Sequence, residues 1–196
     1  MRQCRTFSPW AAVVPVLLAF GWAPETARAA EKVHFLVGLG LGGASYRPSG
    51  QRFWDNELAS EISVAVEYSW FTDPLNLRLG GQVDWGRSSN VSIVFPSESD
   101  ESRHRGFGVY GKLKMALLYG GLGLKRVYLA RDVGVVPHDT SGWFLFQLLG
   151  LEVRIVKISL NLEYQRTGGT FKDAPGPEAS LRYRRHMVRL LGGIHL

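Results

Sequence analysis

The stretch Ile62-Ser63-Val64-Ala65-Val66-Glu67-Tyr68-Ser69-Trp70 decides the fold class. Every second residue is large and apolar, and the residues between are small, polar or charged. Successive side chains of an extended chain point to opposite faces, so this stretch is a strand with one apolar and one polar face. The same period runs through Leu77, Leu79, Gly81, Val83 and Trp85, and again through Ile158, Leu160, Leu162 and Tyr164. Three segments this regular do not read as helices.

Weaker segments complete the set: Val33 to Tyr46, Gly108 to Leu118, Gly121 to Leu129, Gly142 to Val153 and Leu181 to Leu196. Together they predict about eight strands, an even number as antiparallel closure of a bacterial single-chain barrel requires. The connections alternate. Those at Thr72 to Leu75, near Tyr119 to Gly121, and at Arg154 to Lys157 are tight. Those at Arg47 to Asn56, Arg87 to Gly106, Arg131 to Ser141 and Thr167 to Ser180 are long and rich in Gly, Ser, Pro and charge. Short turns on one rim and long loops on the other put the short turns and both termini on the periplasmic side of an outer-membrane barrel.

The first 29 residues read as a cleaved leader. Arg2 and Arg5 form a positive start, Trp10 to Ala23 is mostly apolar, and Ala27-Arg28-Ala29 offers the small-x-small cleavage pattern. The expected mature domain is therefore 30–196. The only cysteine is Cys4, ahead of the apolar run, so the mature chain can build neither a disulfide framework nor a thiolate metal site. About two of the +6 formal charges leave with the leader. The modest remainder and the export signal argue against nucleic acid as a partner.

Every later apolar stretch is interrupted by Gly or a charge, so a membrane would have to be crossed with strands. Only a closed barrel can do this, because unpaired backbone groups in hydrocarbon cost several kcal/mol each. Tyr46, Trp85, Tyr128, Trp143, Tyr164 and Tyr183 sit where strands approach the long loops, and Trp70 and Tyr119 sit beside short turns. Two interfacial aromatic girdles are the expectation.

With Gly38-Leu39-Gly40-Leu41-Gly42-Gly43-Ala44-Ser45-Tyr46, the alternation, and the closing Ile194-His195-Leu196, the chain resembles the small eight-stranded outer-membrane barrels. It is similar to the outer-membrane protein X type and to the transmembrane domain of outer-membrane protein A. The resemblance covers essentially the whole mature chain and implies an all-β, up-and-down transmembrane barrel inserted by the barrel assembly machinery. Such barrels usually end in an aromatic residue that this machinery reads, and this chain ends in Leu196.

If the apolar residues face lipid, the others line a narrow lumen. Glu67, Asp84, Glu152 and Glu163 then face Arg78, Lys112, Lys114 and Arg154 in a self-neutralising network. Glu67 is expected opposite Gly80 and diagonal to Arg78, within reach of long side chains. Eight strands leave an interior just wide enough for side chains to fill it. In the sixth segment Trp143 to Phe146 is apolar on both faces, and Gln147 points at lipid if Glu152 points in.

Arg182, Arg184 and Arg185 lie where the last strand enters the membrane from outside, and Arg suits bidentate contact with lipopolysaccharide phosphate. Arg185 and Arg189 share one parity and Arg184 and His186 the other, so a bulge or offset is expected in that strand. Nucleophilic catalysis needs Ser, His and a carboxylate together. The loops offer Glu101, Ser102 and His104, or His138, Asp139, Thr140 and Ser141, without the His-x-Ser of the lipid A deacylase barrels. The five histidines show no metal-ligand spacing. The reading is a monomeric, non-enzymatic, porin-like outer-membrane barrel without cofactor, its role structural or surface-interacting, its partners outer-membrane lipid and lipopolysaccharide. A lipid A-modifying enzyme, a narrow channel and a soluble lipocalin-like periplasmic barrel are the alternatives.

Overall fold

The computed structural model describes residues 32–48, 55–70, 75–89, 101–133, 136–172 and 180–196. The chain divides into two compact units, Met1–Ala30 and Glu31–Leu196, and all described residues lie in the second. The leader expected over 1–29 thus lies outside the described residues.

Eight strands follow in order: β1 (Val33–Pro48), β2 (Asp55–Ser69), β3 (Leu75–Ser89), β4 (Glu101–Met115), β5 (Leu118–Val133), β6 (Val136–Ile155), β7 (Ile158–Phe171) and β8 (Leu181–His195). Each pairs antiparallel with its neighbours, and β8 pairs with β1 to close the barrel. At the seam Leu196 N–H donates to the Val33 carbonyl at 2.8 Å. Closure gives every strand a partner on both sides, which is the condition for placing a sheet in hydrocarbon.

Polarity is inverted relative to a soluble protein. The Ile62–Trp70 alternation puts Ser63, Ala65, Glu67 and Ser69 inside, all buried, while Ile62 and Val64 face out. On the outer wall Leu145 and Ile155 are each 72% exposed, and inside, Arg78, Lys112 and Arg189 are at most 2% exposed. Large inward rings fit because glycines face them across the ladder. Tyr110 pairs with Gly80, Phe146 with Gly123 and Tyr119 with Gly150, and a Cβ on any of these three glycines would collide with its partner's ring.

Two expectations about connections and one about the last strand need correction. The β4–β5 turn is Ala116-Leu117, not Tyr119 to Gly121. Gly120 and Gly121 belong to β5, where a Cβ on Gly121 would come within 3.1 Å of the Lys112 Cα on β4. Both described two-residue hairpins place a residue with a Cβ at positive φ, Ala116 and Val156 at 55°. Primed hairpin turns need that conformation at the first central position, where Gly is the usual signal. The connection at Thr72 to Leu75 is described only at Leu75.

The third outer connection is not a long loop. β5 and β6 keep pairing up to Val133↔Val136, so Arg131 to Ser141 is mostly a hairpin extension. The last strand needs no bulge either. Its alternation is unbroken from Arg182 to His195, with Tyr183, Arg185, Met187, Arg189, Leu191 and His195 buried inside. Leu196 follows with its side chain exposed.

Candidate functional site

The lumen is crossed by two ion-pair layers. Nearer the turn rim, Arg78 on β3 grips Glu152 on β6 with two hydrogen bonds of 2.6 and 2.9 Å and reaches Glu67 on β2 at 3.3 Å. Lys112 stands 2.5 Å from Glu67, Lys114 donates to Glu152 at 2.5 Å, and the Tyr110 hydroxyl donates to Glu67 at 2.7 Å. Glu67 lies opposite Gly80 in the β2–β3 ladder, but Tyr110 fills the space over that glycine.

The second layer is centred on Arg189 of β8. It donates to Glu61 at 2.6 Å and lies 3.3 Å from Asp84 and 3.4 Å from Glu163, and it also bonds Gln165. Lys125 donates to Asp84 at 3.1 Å and to Gln165 at 3.0 Å, and Arg185 stands 2.8 Å from Glu61. Tyr119 joins the layers, donating to Glu163 at 3.2 Å while the Lys112 ammonium sits 4.2 Å above its ring. Six carboxylates are buried, Glu57, Glu61, Glu67, Asp84, Glu152 and Glu163, against the buried cations Arg78, Lys112, Lys125, Arg185 and Arg189 and the half-buried Lys114. Buried charges need such pairing and hydrogen bonding to be tolerated.

Two further groups fill the ends. Beside the seam His34 packs edge-on against His195, their rings 4.2 Å apart, bonds it through Nδ1, and meets the Ser69 hydroxyl at 2.6 Å. Toward the opposite rim Tyr46, Phe144, Phe171, Tyr183 and Met187 cluster with Ala44, Ala59, Val127 and Leu129, beside the buried Glu57, which accepts from the Ser88 hydroxyl at 2.5 Å. Phe144 and Phe171 stand edge to face at 4.6 Å.

Several sequence expectations are overturned. Tyr46, Tyr119 and Tyr183 are not on the outer wall but inside, at most 2% exposed, because their strand parity is that of the lumenal residues. Arg185 is likewise inside and bonded to Glu61, so it cannot meet lipid phosphate from the wall. Arg154 has inward parity but stands at the last turn of β6, exposed, with its Nε donating to the Val156 carbonyl at 2.8 Å. Ser102 and His104 are buried in the lumen: the Ser102 hydroxyl is 3.3 Å from Glu57, and His104 Nε2 is 3.7 Å from Glu61. The Glu101 and His138 side chains lie outside the described residues.

Glu61, Lys125 and Arg189 were missed as lumenal groups. The signal was present, since Glu61 shares parity with Glu67 and Lys125 alternates with the lipid-facing Leu122 and Leu124.

Residues 12–188 match the family described as "Outer membrane protein beta-barrel domain". The chain belongs to this family. Short turns of such barrels are periplasmic, which puts Val33, Leu196 and both two-residue turns on that side of the outer membrane. No curated protein matches it in sequence. Among solved structures it is similar to Neisserial surface protein A, at 14% identity and a TM-score of 0.51 over 83% of this chain and 97% of that one. It is also similar to the attachment invasion locus protein of Yersinia pestis in complex with the heparin analogue sucrose octasulfate, at 9% identity and a TM-score of 0.51 over 83% and 99%. The outer membrane protein AlkL in lipid bilayers gives 13% and 0.51 over 89% and 95%. At these identities the likeness is one of fold.

On the outer wall of this outer-membrane barrel, Trp85 and Trp143 are exposed and Tyr128 is half-buried toward the extracellular rim, Trp70 is exposed at the periplasmic one, and Tyr164 is exposed mid-way along β7, not at a rim. Phe107 joins the outer group, 6.2 Å from the Tyr128 ring and 5.8 Å from that of Trp143. Arg182 and Arg184 are exposed on this wall, close to the level of Trp143.

Proposed function

We propose that this outer-membrane barrel has a structural, surface-interacting role and does not conduct. The observation that carries the reading is the filled lumen: two salt-bridge layers joined by Tyr119, capped toward the outside by the Phe144, Phe171 and Tyr183 cluster. A cation entering it would have to break contacts that hold each buried charge in place. Planar-bilayer recording tests this. The reading expects no stepwise conductance from the purified protein, and discrete reproducible steps would refute it.

The same reading makes the protein a monomer and not an enzyme, so the lipid A mass profile of cells is expected to be the same with and without its expression. Residues 1–29 act as the leader, with processing after Ala29, which supports delivery to the outer membrane. N-terminal sequencing of the membrane-extracted protein is expected to begin at Ala30.

A further inference from the structure

The outer wall over β6, β7 and β8 carries a groove of about 390 Å³ whose lining includes Gln147, Arg166, Gly168, Thr170, Arg182 and Arg184. The ladders explain why it is there. β7 pairs with β8 up to Phe171↔Leu181, but its pairing with β6 ends at Leu145↔Gly168. β6 continues instead with β5, so the two strands part above Leu145 and leave a cleft in the wall. Gly168 keeps the cleft open. A Cβ there would meet nothing closer than 3.5 Å, so a side chain would fit and would occupy the groove.

The charge around this cleft is one-sided. Arg166 stands across from Gln147 on one side and His186 on the other, Arg184 stands across from Gly168, and Arg182 stands across from Thr170. Arg182 also lies directly opposite Arg47 of β1. Among the described residues Asp139 is the only outward-facing carboxylate on these three strands, and it lies on β6 beyond the end of the β6–β7 ladder.

Below the guanidiniums the wall turns apolar, with Leu149, Leu162 and Val188 all at least half exposed. A partner that satisfies both levels has an anionic head and hydrocarbon tails. We propose that the β6–β8 groove binds a phosphorylated lipid of the outer leaflet. Its phosphate is held by Arg166, Arg182 and Arg184, and its acyl chains lie on the leucine-rich wall beneath. Guanidinium suits this head group because its planar fork makes paired hydrogen bonds to phosphate oxygens. The proposal rests on the membrane-spanning orientation of the barrel but not on whether the lumen conducts.

The test uses protein extracted from membranes into a zwitterionic detergent, stripped of lipid and titrated with bisphosphorylated lipid A, phosphatidylcholine or inorganic phosphate, with bound lipid read by native mass spectrometry. Two variants are compared: R166Q/R182Q/R184Q, which removes charge, and Gly168→Leu, which fills the groove and keeps every arginine. Heat-modifiable gel mobility reports whether each variant is a folded barrel, so a failure of the fold is seen separately from a failure of the site. The expected result is retention of lipid A but not phosphatidylcholine, weakened about tenfold or more in each folded variant. Equal retention by both variants would overturn the proposal, as would equal retention of phosphatidylcholine. Displacement of lipid A by inorganic phosphate at millimolar concentration would assign the site to a free anion instead. Should the triple variant not fold, Gly168→Leu decides alone.

Discussion

Arg189 is the residue on which most of the interior depends. It meets carboxylates from β2, β3 and β7 while anchored on β8. Truncating one partner of a buried charge cluster leaves the others buried and uncompensated, which costs about 3–5 kcal/mol. Arg189→Met is therefore expected to lower the stability of the folded barrel by about that amount, measured by urea unfolding in lipid vesicles. A change within experimental error would show that the network is not needed. At this scale the sequence was legible wherever parity was counted along a whole strand. It was misread where position near a strand end was taken as the guide, since Tyr46, Tyr119 and Tyr183 are near ends and yet share parity with lumenal residues. An aromatic residue close to a rim can cap the lumen as well as sit in a girdle, and only its face distinguishes the two. Arg185 was misplaced for the same reason, although Arg189 shares its parity.

Among the elements, the strands and the tight β6–β7 connection were readable and the β4–β5 turn was not. β2, β3 and β7 carry the clearest alternation in sequence, and their register follows from closing an apolar exterior. The Ala116-Leu117 and Val156-Lys157 turns carry no Gly, Asn or Asp, so nothing local marks them, and the glycine pair at 120–121 that looks like a turn is a close approach between strands. The positive φ of Val156 is strained for a β-branched residue. Val156→Gly should stabilise the barrel by about 1 kcal/mol, seen as a higher urea midpoint with an unchanged slope. A lower midpoint would contradict the turn geometry. Gly80 makes the opposite prediction. A Cβ there would lie 2.6 Å from Tyr110 Cζ, so Gly80→Ala must push the ring away from Glu67. A loss of about 1–3 kcal/mol is expected, and pairing it with Tyr110→Leu should lose less than the two changes separately.

For the whole molecule, the inverted polarity joins fold and role. Eight strands enclose a space that side chains fill. Here they fill it with paired charges in the lower two layers and with aromatic rings beside the Glu57 hydrogen bonds in the upper one, leaving the apolar surface to the membrane.

The stretch from Ile62 to Val66 offers the most direct test of the whole account. With Cys4 replaced, single cysteines are placed in turn at positions 62 to 66 and the protein is inserted in bilayers. Each is then treated with a charged water-soluble maleimide and with a lipid-soluble one. The account predicts that Ile62→Cys, Val64→Cys and Val66→Cys react only with the lipid-soluble reagent, and that Ser63→Cys and Ala65→Cys, packed in the lumen, react with neither. Reaction of 63 and 65 with the charged reagent would mean an open, water-filled lumen, and reaction of 62, 64 and 66 with it would mean that the outer wall does not face lipid.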